Sequence, residues 1–176
     1  MLKNLHSPYI DSSTADHLSR LKLCKTLFNS QLFAINIIDS KSCKTCIREF
    51  NNHTDEDYKH AMYLCPAVRH SINYVTQTFF PNNTSPFGIE DILTATITDK
   101  HELYQGQDGQ KLASTIWDIF QAYVIKCRTA ETTPIPTAAI FEIRSQLNRI
   151  LKILPRSRIA THVKNSARLQ DIFKQT

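Results

Sequence analysis

Apolar side chains recur along this chain at steps of three and four residues, the spacing of one buried helix face. Leu18, Leu21, Cys24, Leu27, Phe28, Leu32 and Ile35 predict a helix over about 14–38, with Ser13 or Thr14 as its cap and Asp16 in its first turn. The pattern then lapses. Residues 39–58 are polar, and Ile47 and Phe50 are their only strongly apolar side chains. Helix is expected to resume near Asp55 and to pass through Tyr58, Met62, Tyr63 and Cys65. Pro66 opens a new helix with Ala67, Val68, Ile72, Val75 and Phe79 on one face, and Pro81-Asn82-Asn83 ends it. A short helix is expected at 86–97 and a turn at Gly106–Gly109. A strong helix follows at 110–128, carrying Leu112, Ile116, Trp117, Ile119, Phe120, Tyr123, Val124 and Cys127. Thr132–Pro136 reads as an extended stop, and Thr137 as the cap of a last long helix at 138–153, closed by Pro155.

These elements predict an all-α fold of five or six helices, interrupted by a zinc-knuckle-like loop. Four regions follow: a polar arm at 1–12, a leading helix plus the polar motif at 13–80, a helical region at 81–154, and a basic tail at 155–176. The tail is expected to be partly disordered or to form a short marginal helix. Composition agrees with helices. Gly occurs 3 times and Pro 7 times in 176 residues, too sparsely for a turn-rich β-sandwich or barrel. No apolar run approaches the roughly 18–20 residues of a membrane span. The first residues, Met1 to His6, turn polar at once and offer no secretory apolar core, so the expectation is an intracellular, reducing setting. An odd count of five cysteines does not suggest a disulfide framework.

The net charge of +5 is unevenly spread. From residue 141 onward eight cations face only Glu142 and Asp171, a balance of +6. That fits attraction to nucleic acid, and it fits solubility equally well.

The polar stretch cannot order itself by burial, but it carries metal-binding chemistry. Cys43 and Cys46 form a Cys-x-x-Cys pair, and His60 and Cys65 follow just before Pro66. Three thiolates and an imidazole make a closed tetrahedral shell for Zn²⁺. Such a clip adds folding free energy where no core is available. His53 is a rival ligand in the same loop; the His-x-x-x-x-Cys spacing favours His60. Cys24 and Cys127 fall on apolar stripes and read as core thiols. Trp117, Phe120 and Tyr123 sit at helical spacing and read as core rather than as base-stacking groups. No nucleophile, base and orienting group recur together, so no enzyme activity is expected.

The run Cys43-x-x-Cys46, then Asp55-Glu56-Asp57, then His60-x-x-x-x-Cys65-Pro66, resembles the zinc-binding domain that follows the reverse transcriptase of non-LTR retrotransposons. The residues matching its ligands are Cys43, Cys46, His60 and Cys65. The helix ending in Lys126-Cys127-Arg128 is also similar to a segment of many such C-termini. The chain departs in a longer gap between Cys46 and His60, and in Ile47 where a glycine is usual. Paired aspartates of a polymerase core are absent. The resemblance implies a terminal fragment or separated domain that binds zinc and contacts nucleic acid, RNA before DNA. Lys41, Lys44, Arg48, Lys59 and Arg69 around the knuckle are the candidate phosphate contacts. No membrane or small-molecule partner is expected. A helical protein-interaction module stabilised by zinc is the alternative, as is a decayed element fragment.

Overall fold

The computed structural model describes residues 26–82, 87–94 and 101–174. The polar arm at 1–12, the first half of the leading helix and Cys24 lie outside the described residues. Within them the fold is all-α, and the one sheet-like feature is an isolated antiparallel bridge between Ser42 and Asp55.

The leading helix ends earlier than its apolar spacing predicts, at Ala34 rather than near 38. Of its described part, residues 26–38, only Asn29–Ala34, α1, is helical; Asn36 takes a left-handed φ of 56° and ends it. Leu27, Phe33, Ile35 and Ile37 are exposed, so this stretch lacks the packed neighbour that would extend it. The polar segment in turn holds a helix that its composition hides, α2, Lys44–Phe50, closed by Asn51 at φ 49°.

Residues 58 and 59 begin a helical segment that widens into a π-helical turn at His60–Leu64. Helix α3, Pro66–Phe79, starts on Pro66 as expected and buries Ala67, Val68, Ile72, Val75 and Phe79. Helix α4, Ile89–Thr94, and a 3₁₀ turn, Glu102–Tyr104, precede the central helix α5, Gly106–Thr129. The turn expected at Gly106–Gly109 is the first turn of α5 instead. Gly109 serves close approach: a Cβ there would lie 2.4 Å from the Tyr104 carbonyl carbon.

Helix α5 is buried on most sides. Trp117 stacks on Phe80 at 5.5 Å with near-parallel rings, and Phe87 meets the indole edge-on at 5.3 Å. Gln121, fully buried, donates its amide to the carbonyls of Ile92 and Leu93 and so fixes α4 on α5. Helix α6, Pro136–Ile153, begins with Pro136 in its first turn; Ile135, not Thr137, is the capping position. It buries Ala139, Ile143, Leu147 and Ile150 against α3 and α5.

The region read as a basic tail is built into the core. Helices α7, Arg158–Lys164, and α8, Ala167–Lys174, bury Ile159, Ala160, Val163, Leu169, Ile172 and Phe173. Ser157 caps α7, its Oγ accepting from Ala160 N at 3.1 Å, and Ser166 accepts from Leu169 N at 3.3 Å. The charges of this region dominate its composition and mask a short apolar period. Among the described residues, no helix is long and apolar enough to cross a membrane.

Candidate metal centre

Two half-sites meet between α2 and α3. The first is the start of α2. Cys43 occupies its capping position and Cys46 lies three residues on, one turn of helix later, so both sulfurs face the same side. A short ladder holds this turn. Cys43 N donates to Thr54 O at 2.8 Å, Glu56 N to Lys41 O at 2.8 Å, and Asn52 N to Cys46 O at 3.1 Å. Helix α1 is tied to it, since Asn29 Nδ2 donates to Ser42 O at 2.9 Å and Ser30 N to Glu56 O at 3.0 Å.

The second half-site depends on the π-helical turn. On an α-helix, residues five apart lie about 140° apart around the axis, so His60 and Cys65 would diverge. Here Cys65 N bonds to His60 O at 2.8 Å, an i→i−5 link that widens the turn and brings the two side chains together. Asp57 starts this segment, its carboxylate accepting from His60 N at 2.6 Å. Cys65 then caps α3.

Cys43, Cys46, His60 and Cys65 are all buried, and their ligand atoms lie within 4.8 Å of one another. Cys46 Sγ is 3.7 Å from Cys65 Sγ and 3.2 Å from His60 Nε2. A tetrahedral zinc with Zn–S near 2.3 Å and Zn–N near 2.0 Å would set these separations at about 3.8 and 3.5 Å. His53, the rival, is exposed in the loop and stands outside the group. Cys127 is buried in α5 away from it.

The electrostatics of the group follow from its burial and crowding. A hydrogen bond to Cys65 and burial push the Cys43 thiol up to about 12. Burial and the neighbouring Cys43 push Cys46 up to about 11. Cys65 moves the other way, lowered first by the hydrogen bond from Cys43 and further by the backbone N–H groups of Val68 and Ala67 at the start of α3. His60 is raised, chiefly by its hydrogen bond with Cys43, against the opposing effect of burial. Three crowded sulfurs cannot all ionise beside one another unless a positive charge sits among them. A divalent ion could supply that charge, and the donor set of soft sulfurs with imidazole fits zinc.

An ion pair next to the cluster was not foreseen from sequence. Glu56 is buried, and Arg128 Nε donates to its Oε1 at 2.6 Å. The same guanidinium donates to Leu27 O at 3.0 Å and lies 4.7 Å from the Phe28 ring centroid. Arg128 thereby joins the end of α5 to both flanks of the metal loop. The sequence signal was the arginine of Lys126-Cys127-Arg128, facing an acidic run whose partner could not be named.

The cations assigned to phosphate contact are mostly engaged within the chain. Lys41 pairs with Asp55 at 2.8 Å, and Lys44 pairs with Glu131. Arg48 binds Glu49 at 2.9 Å, Glu131 O at 2.8 Å and the Thr133 hydroxyl. Arg69 stacks over Tyr63, 4.2 Å from the ring centroid. Lys59 is exposed. Lys44 and Arg48 thus clamp α2 onto the loop after α5. In comparisons with known proteins, the chain matches no family model, no curated protein and no solved structure.

Proposed function

We propose that this chain is a non-enzymatic, zinc-stapled helical domain derived from the C-terminal region of a retrotransposon reverse transcriptase, and that it contacts nucleic acid, RNA in particular. The observation that carries the zinc reading is the buried cluster of Cys43, Cys46, His60 and Cys65. Its four protein donors would fill a tetrahedral shell and leave no open position for a substrate, as in a structural rather than a catalytic zinc site. The retroelement reading rests on the order and spacing of those donors along the chain.

Support for nucleic acid comes from charge. Arg149, Lys152, Arg158, Lys164 and Arg168 are exposed on the last three helices and Arg156 in the turn between α6 and α7, in a region that holds only Glu142 and Asp171 as anions, and Glu142 is paired with Lys126. Of the knuckle cations, Lys59 is exposed, and the exposed Lys41–Asp55 pair, worth only about 0–1 kcal/mol, would yield to a phosphate.

The test has two parts. Protein purified without added metal should contain about one zinc per chain by elemental analysis, and Cys43→Ser should lose it. Binding to structured RNA and to duplex DNA is then compared at two salt concentrations. Affinity should fall steeply with salt through counterion release. Failure to bind either at low salt removes the nucleic-acid reading while leaving the zinc scaffold intact.

A further inference from the structure

The three sulfurs of the cluster do not stand alike toward solvent. A cleft of about 20 Å³, room for one small polar molecule, lies beside them between α2, α3 and the end of α5. Cys43 and Cys65 line it, together with Thr45, Glu56, Arg128 and Thr132. Cys46 and His60 do not, and Cys46 is 0% exposed. Thr132 is exposed and Thr45 half-buried, so the cleft meets the surface beside two hydroxyls. The donor set is thus closed on one side and approachable on the other.

Cys65 stands where the two sides join. It lines the cleft, and its Sγ lies 3.7 Å from Cys46 Sγ. Cys46 is held in the first turn of α2 and Cys65 at the cap of α3, so a bond between them would join the same two elements as the metal. A disulfide requires the sulfurs to close to about 2.05 Å, which rotation about the two Cα–Cβ bonds can supply from this separation. Buried thiolates react only where an oxidant can reach them, and the cleft gives Cys65 that access.

We propose that the cluster is a peroxide-responsive switch, in which Cys65 is oxidised through the cleft, Cys46 closes a disulfide on it, and zinc is released. The switch presupposes the zinc site proposed above. In the first step the Cys65 thiolate attacks hydrogen peroxide. An S–O bond forms, the O–O bond breaks, sulfur gives up two electrons, and hydroxide leaves a sulfenic acid on Cys65. In the second step the Cys46 thiolate attacks that sulfur from outside the cleft. The S–S bond forms, the S–O bond breaks, and a second hydroxide leaves. Two thiolates and one peroxide thereby give one disulfide and two hydroxides, which take protons from solvent. Cys43 and His60 are left, and two donors do not complete a tetrahedral zinc shell. The disulfide keeps α2 tied to α3, so the chain gives up its metal without losing the junction the metal made.

The experiment uses the full chain, zinc-loaded, with hydrogen peroxide and a chromophoric zinc chelator. Zinc content is measured before peroxide is added, and a chain lacking about one zinc removes the zinc reading and the switch with it. In a loaded chain, peroxide should release about one zinc for each disulfide formed. Non-reducing peptide mapping should place that disulfide at Cys46–Cys65 and leave Cys127 a free thiol. Dithiothreitol and added zinc should restore the starting state. The oxidised chain should unfold at a higher temperature than the reduced, chelated one. Thr45→Leu narrows the cleft without replacing a ligand, and should slow zinc release by about threefold or more at equal zinc content. Zinc retained at peroxide levels that oxidise free cysteine overturns the switch and leaves the zinc site standing. A disulfide from Cys43 to either other ligand sulfur, or release through sulfinic acid with no disulfide, overturns it as well. An unchanged rate in Thr45→Leu overturns the cleft as the route.

Discussion

Arg128 and Glu56 carry more of the metal loop's placement than their count of atoms suggests. Glu56 is buried, and the guanidinium at 2.6 Å is its charge partner. Removing one member of such a pair leaves an uncompensated charge, which costs more than the pair itself contributes. Arg128→Met should therefore lower stability by about 3 kcal/mol in urea unfolding. The double variant Arg128→Met/Glu56→Gln should recover a substantial part of that loss; an equally unstable double variant would show that the packing of Arg128 on Phe28 matters more than its charge. Gly109 is the second residue whose identity is dictated locally. Any side chain there meets the Tyr104 backbone at 2.4 Å, and backbone cannot step aside as a flexible side chain does. Gly109→Ala should destabilise by roughly 1–3 kcal/mol, the usual range for overpacking, although alanine is the better helix former. A raised urea midpoint for this variant would contradict the close approach.

At the scale of elements, α7 and α8 decide whether the last part of the chain is tail or core. They bury Ile159, Val163, Leu169, Ile172 and Phe173. Each large apolar side chain contributes about 1.5–3 kcal/mol on burial, so together they match the whole stability of an ordinary domain. A chain ending at Pro155 should lose its cooperative thermal transition and become sensitive to protease; retention of the full-length unfolding temperature would show that these helices are dispensable. The sequence made α3, α5 and α6 legible because each has an apolar stripe longer than three turns. It hid α2, α7 and α8, which have seven or eight residues each, too few for a period to rise above their charged neighbours. It carried the C-terminal end of the leading helix too far because Phe33, Ile35 and Ile37 repeat at apolar spacing although they stay largely exposed. The four residues of the cluster could be singled out from their spacing, but not the device that unites them. His60 and Cys65 are wrongly phased for an α-helix, and only the i→i−5 bond corrects this. Glu56 and Arg128 lie 72 residues apart, and no local pattern links them.

For the whole molecule, a cluster that holds zinc would couple stability to both metal and pH, with opposite signs in the two states. Without metal, Cys43 and Cys46 hold their protons up to about 12 and about 11, against 9.0 for an ordinary thiol. A group whose folded value is raised favours folding below the unfolded value and loses that contribution as pH climbs through the folded one. The chelated protein should thus be progressively less stable from about pH 9 to 12 on account of these thiols. With zinc bound, the ligands must be thiolates and neutral imidazole, so their folded values fall below the unfolded ones. The zinc-dependent part of stability is then lost as pH drops below the ordinary range of thiols and imidazole, and it is gone near pH 5, where bound metal must compete with protons at all four donors. Thermal unfolding of the full chain, with zinc and with chelator, should give two curves that coincide in acid and separate by several kcal/mol near pH 8, zinc-loaded above metal-free. The separation should widen above pH 9, because the metal-free curve begins to fall there. Curves that superimpose across the whole range would mean that no divalent ion joins α2 to α3, and that the four donors are only buried neighbours.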